Sequence, residues 1–140
     1  MANSAFEGFD GIKQRLESIL ASKADALKAA GVSILTSSQK EIIEGNPDWP
    51  GFKRPPKRAH QLLWMYGTLL RSLAIESPDN IIREEENSIV VGSNVIYANA
   101  QNRGNPDHNL PARPFLYLSN DRMKLAEAAF LAQIMKAWDR

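Results

Sequence analysis

Apolar residues recur at Ile12, Leu16, Ile19, Leu20, Leu27, Ile34, Leu35, Ile42 and Ile43, and no proline falls between Asp10 and Glu44. Steps of three, four and seven put one stripe on a 3.6-residue helix. The pattern predicts a long helix over 10–44 with Asp10 as its N-cap. Lys13 stands where a capping box would place a glutamate, so only half of that start signal is present. A continuous helix here would run on the order of 50 Å, longer than a small domain is wide. Gly31 is the expected bend. Such a helix is expected to pack on something besides its own domain, a first pointer to assembly.

The pattern then breaks. Pro47, Pro50, Pro55 and Pro56, with Gly45 and Gly51, make 45–58 a proline-rich loop. Trp49 and Phe52 are costly side chains to leave in water, so they are expected to dock on the core or on a partner. Arg58 to Gly67 reads as a short helix, and Leu69, Leu73 and Ile75 with Arg71 read as a half-buried strand. "NIIREEENSIVVG" predicts two strands around a polar turn near Glu85–Ser88. "VIYANAQNRG" predicts a short helix stopped by Gly104, and 102–109 a loop. Phe115 to Leu118 would be a fourth strand, with Phe115 and Tyr117 on one side and Leu116 and Leu118 on the other. Met123, Ala126, Phe130, Ile134 and Trp138 form the stripe of a final helix over 120–138, capped by Ser119 or Asn120. The expected fold class is α+β, one domain over 1–140. It comprises the long N-terminal helix, a mainly β region over 59–118 with a small antiparallel sheet of about four strands, short helices, and the C-terminal helix packed on the sheet.

Length and composition narrow the class. A chain of 140 residues buries roughly 70% of its unfolded surface and needs no covalent staple. It is 44% apolar and 24% charged, the balance of an ordinary globular protein. The absence of cysteine removes disulfides, thiolate zinc sites and cysteine nucleophiles, and suits a reducing compartment. The first residues predict no secretory signal, and no apolar run reaches the ~18–20 residues that span a bilayer. Net charge is +1, but its distribution is uneven. Lys53, Arg54, Lys57, Arg58 and Arg71 precede a block of Glu76, Asp79, Glu84, Glu85 and Glu86 that holds Arg83 alone. Blocks of opposite sign steer partners or pair identical subunits, or are simply solvated loops.

Catalytic chemistry finds little support. His60 has no second ligand at helical spacing, and His108 beside Asp107 is too common a pair to define a site. No nucleophile elbow, zinc-helix or phosphate-loop pattern occurs. Nothing near Glu84–Glu86 would drive their proton affinities apart. The chain is therefore expected not to be an enzyme and to need no cofactor. "KRPPKR" offers four cations to phosphates, which makes a small nucleic-acid-binding module the rival expectation. No stacking aromatics are interleaved with them, however.

Three segments in order carry a family resemblance. Gly67, Leu69 or Leu70, and Ser72 come first; Val91, Gly92, Tyr97, Ala98 and Gly104 follow; Pro111, Ala112, Arg113, Pro114, Phe115 and Leu116 close the series. This succession resembles the phage virion-morphogenesis (tail completion) family. The departures are Tyr66 for threonine before the glycine, Ser93 for threonine after Gly92, no histidine before Gln101, and Tyr117 for glycine. The resemblance implies a structural protein of the tail-terminator type, a ring of identical subunits contacting tail-tube and neck or connector proteins. A head-side neck adaptor is the alternative within that class. It further implies a place in the virion after assembly in the host cytoplasm, near DNA in the channel and away from membranes. Gly67, Gly92, Gly104, Pro111 and Pro114 are the expected fold-defining turn residues. Trp49, Phe52, Lys53, Arg54, Lys57, Arg58, Arg113 and Phe115 are the expected interface. Arg113 either pairs with a carboxylate of its own domain or reaches a neighbouring subunit.

Overall fold

The computed structural model describes residues 4–50 and 67–139. The architecture is α+β: helices α1 (Ser4–Ala21), α2 (Lys23–Glu44) and α3 (Thr68–Ser72), strands β1 (Asn80–Glu84) and β2 (Ile89–Ser93), then α4 (Ala98–Arg103) and α5 (Asn120–Asp139). The expected helix from Arg58 to Gly67, Gly67 itself excepted, and the loop beyond Pro50 lie outside the described residues.

The long helix exists, with two corrections. It begins at Ser4, so Asp10 lies inside it and is no cap. Its interruption falls at Ser22 rather than at Gly31. The Ser22 amide donates to both Ser18 O (3.0 Å) and Ile19 O (3.1 Å), and its hydroxyl donates back to Ile19 O (2.8 Å). A serine bonding the preceding turn in this way competes with the regular ladder and bends a helix. Gly31 has another use. A Cβ there would sit 2.8 Å from Val91 Cγ1 and 3.1 Å from Ile89 Cγ1, so the missing side chain lets β2 lie directly on α2.

The sheet has two strands among the described residues, not four. β1 and β2 pair antiparallel in the register Asn80↔Ser93 to Glu84↔Ile89, and the Glu85 amide donates to Ser88 O (2.9 Å) to close the expected turn. Lys23 Nζ donates to Asn87 Oδ1 (2.9 Å), tying that turn to the start of α2. The expected strand over Leu69–Ile75 is instead α3 and the turn after it. Leu69, Ser72 and Leu73 are buried together, a spacing of three and four that marks a helical face; the short run also fitted alternation. Gly67 opens α3 in the left-handed region (φ 66°), which a glycine adopts without strain. Ser72 and Ser93 hydroxyls lie 2.6 Å apart and join α3 to β2.

α5 runs antiparallel to α2: Arg122 at its start meets Ser38 and Glu41, and Trp138 at its end lies under Arg15 of α1, 5.1 Å from guanidinium to ring centre. The core is Leu35, Ile42, Trp49, Leu69, Leu73, Ala98 and Phe115, with Leu70, Val91, Val95 and Leu116 against it. Ser119 caps α5 as expected, its hydroxyl accepting from the Arg122 amide (3.2 Å).

Candidate functional site

Phe115 to Leu118, expected to be a fourth strand, falls within a strap over 111–119 that has no strand partner among the described residues. Two prolines deprive it of amide donors, and side chains from elsewhere replace the ladder. Asn102, on α4, does most of this. Its Oδ1 accepts from the amides of Phe115 (2.9 Å) and Leu116 (3.0 Å), and its Nδ2 donates to Leu116 O (3.1 Å). One side-chain amide thus imitates a neighbouring strand. The Arg113 amide donates to Gln101 O (2.9 Å), and Trp49 Nε1 donates to Pro114 O (2.9 Å). The expected alternation of faces is lost: Phe115 is buried, Leu116 half-buried, and Tyr117 and Leu118 exposed.

Gly104 makes the close approach possible. It sits at φ 79°, ψ 167°, a region essentially closed to other residues. A Cβ there would lie 2.8 Å from Ala112 N and 3.0 Å from Leu110 O. The loop beyond is closed by Asn105 and Leu110, which exchange both amide bonds (2.8 and 2.9 Å).

Beneath the strap lies a buried ion pair. Arg122 Nη2 donates to Glu41 Oε2 at 2.6 Å, with the two side chains only 7% and 14% exposed. Nη1 donates to Ser38 Oγ (2.9 Å), Phe115 O (2.9 Å) and Tyr117 O (3.2 Å), and the guanidinium stacks on the Tyr117 ring at 3.9 Å. Glu41 Oε1 accepts from Tyr117 Oη (2.6 Å) and Asn46 Nδ2 (2.8 Å). Burial, then the bond to Glu41, raises the Tyr117 phenol above its ordinary value, against the opposing charge of Arg122. These bonds fasten α2, the strap and α5 together. Beside it a cleft of about 510 Å³ is lined by Asn46, Asp48, Trp49, Pro114 and Tyr117.

Three expected interface residues are therefore internal. Trp49 and Phe115 belong to the core. Arg113 is buried, its Nε donates to Pro50 O (2.8 Å), and burial lowers its pKa from the ordinary guanidinium value. Its Nε is thus held by a carbonyl of its own chain. Phe52, Lys53, Arg54, Lys57 and Arg58 lie outside the described residues, as does His60. Gly67 and Gly104 have the positive φ expected of turn residues, whereas Gly92 does not, and a Cβ on Gly92 would meet nothing nearer than 3.8 Å. Pro111 is half-buried and Pro114 exposed. His108 and Glu84–Glu86 are exposed. No group of three His, Cys, Asp or Glu among the described residues is placed to hold a metal, and among them no helix is long and apolar enough to cross a membrane.

Sequence reasoning missed Arg122, Glu41 and Asn102. Arg122 carried one usable signal. A cation in the first turn of a helix opposes the helix dipole, and such a residue needs a local reason to be there.

The surface offers two apolar features. On α1, Ile12, Leu16 and Leu20 are exposed, Leu20 to 71%. Between α2 and α5, Ala30, Met123, Ala126, Phe130 and Leu131 line an open groove of about 390 Å³, with Glu127 on its wall. Compared with models of protein families, with curated proteins and with solved structures, the chain matches none.

Proposed function

We propose that the chain is a structural assembly subunit of the virion-morphogenesis type, working without catalysis as a ring of identical copies at the end of a phage tail. The carrying observation is the meeting of the three segments behind the resemblance. Ser72 of the first touches Ser93 beside the second. Asn102, within the second, holds Phe115 and Leu116 of the third, and Gly104 packs on Ala112. Residues far apart in sequence thus form one joint, as a shared fold requires. Exposed aliphatic residues along α1 support a role in assembly, since contiguous apolar surface of roughly a few hundred Å² marks a contact site.

The test is mass and destination. Light scattering across concentration and salt should give a defined multiple of the single-chain mass, and electron microscopy should find the protein at the ends of purified tail tubes. A monomer at high micromolar concentration that also ignores tail tubes would refute the reading.

A further inference from the structure

We propose that the free edge of β2 accepts an extended segment of a partner protein as a third strand, laid over the apolar face of α5. The inference stands apart from the assembly reading, because a single copy carries the whole site.

The register decides which backbone groups are free. The Glu85 amide bonds to Ser88 O and the Asn94 amide to Asp79 O. The pairs between them alternate, so Ile89, Val91 and Ser93 aim their amides and carbonyls away from β1. None of these backbone groups has a hydrogen bond among the described residues. The two edges of the hairpin differ. β1 carries exposed Arg83 and Glu84, and its Asn80 amide is already bonded to Ser77 O (3.1 Å). Charges guard an edge against further pairing. β2 has neither a charge nor a proline.

The free edge also looks onto uncovered apolar surface. β2 runs in the direction of α2, since Asn87 lies by Lys23 while Ile89 and Val91 lie by Gly31. With Ile89 and Val91 facing α2, the handedness of L-residues puts β1 away from α5 and the free edge toward it. There Met123, Phe130 and Leu131 of α5 turn to the hairpin's side of the helix pair and, with Ala30, line the groove of about 390 Å³. Strands lie about 4.8 Å apart and packed helices about 8–10 Å, so two strands roof α2 and leave α5 bare. Unpaired backbone and bare apolar surface thus meet at one place. An extended chain with apolar residues at alternate positions satisfies both.

Charge and sterics narrow the occupant. Glu127 is the charged residue of the described lining. A strand laid over it covers its carboxylate, so the segment must bring a cation there. The hairpin of a second copy does not fit, because it carries α2 on the face that would meet α5, and the two helices would collide. The occupant is a bare, basic, extended segment.

The experiment adds to the full chain a synthetic peptide of about nine residues, valine alternating with threonine and lysine in place of the central valine. NMR amide exchange follows the hairpin. Before addition, the Ile89, Val91 and Ser93 amides should exchange at least about tenfold faster than those of Val90 and Gly92. The peptide should protect the first set. A version N-methylated at the residues that face β2 keeps its side chains and should bind more than about tenfold more weakly. Leu131→Asp, at an exposed site, should weaken binding by a similar factor, with circular dichroism checking that the variant folds. Glu127→Lys should lose the lysine peptide and take up its glutamate counterpart. Edge amides already protected in the free chain would overturn the proposal, as would no protection by either peptide at about 1 mM. Equal binding of the N-methylated peptide would rule out strand addition. Protection that grows with protein concentration alone would make a second copy the occupant instead. None of these readouts is the oligomer mass, so the assembly reading stands or falls separately.

Discussion

The β1–β2 hairpin and the strap over 111–119 are both chain laid against helices, yet different chemistry holds each. The hairpin pairs its own backbone over five registered positions, and its turn is polar and exposed. The strap has no such ladder. Its amides and carbonyls end on Asn102, Arg122, Trp49 and Gln101. Backbone pairing is shared by every residue type except proline, so the hairpin should tolerate substitution. Bonds from individual side chains are lost when those side chains change, which makes the strap brittle.

Removing Arg122 should separate the two regions most widely. Arg122→Ala deletes the partner of a buried carboxylate and uncovers two strap carbonyls, which should cost about 3–5 kcal/mol. Urea unfolding would measure it. The equivalent change in the hairpin, Arg83→Ala, breaks an exposed pair at 3.5 Å and should stay within about 0.5 kcal/mol. Equal losses at the two sites would remove the distinction.

Gly104→Ala comes next. The new methyl collides with Ala112 N, backbone that cannot rotate away, and the residue is forced into a region reserved for glycine. A cost of about 2–4 kcal/mol is expected, read as a fall in the thermal midpoint.

The same contrast explains what the sequence disclosed. The hairpin was legible because its signals are local: two β-rich runs and a polar turn lie within fourteen residues, Asn80 to Ser93. The C-terminal helix and the Gly104 stop were legible for the same reason. The strap's alternation looked like a strand because Phe115 to Leu118 has a strand's composition. What prevents it is a partner that donates and accepts through a side chain thirteen residues away, and no periodicity announces that. Leu69 and Leu73 failed differently, since a spacing of four fits a helix and a strand alike. Arg113 and Trp49 were singled out correctly as unusual, but polarity and size alone do not reveal whether such a residue points outward or into its own core.

Asn102 sharpens the comparison at atomic scale. Asn102→Ala leaves two amides and one carbonyl without their partner and should cost about 2–3 kcal/mol. Asn102→Asp keeps the oxygen that accepts from Phe115 and Leu116 but loses the donor to Leu116 O, and faces that carbonyl with a charged oxygen. It should be destabilised by about 1–2 kcal/mol, less than alanine if the acceptor carries most of the strap's attachment. Amide hydrogen exchange at Phe115 and Leu116 separates the cases: protection should persist in the aspartate variant and disappear in the alanine variant. Loss of protection in both would mean that strap attachment depends on the donor.

Gly92→Ala carries the smallest effect and the most direct control. Gly92 sits in β2 at negative φ, and its nearest neighbours for a methyl are Leu116 Cδ2 at 3.8 Å and Ile81 Cβ at 4.0 Å. These are ordinary contact distances. The added methyl also restricts the unfolded chain, so the change should be neutral or stabilising by about 0.5 kcal/mol. Gly92 and Gly104 both fall in the second segment of the resemblance, and a motif alone assigns them equal weight. The structure does not: one glycine is required by backbone geometry and the other is replaceable. A loss above about 2 kcal/mol at Gly92 would show that the hairpin depends on that close packing as tightly as the strap depends on its side chains.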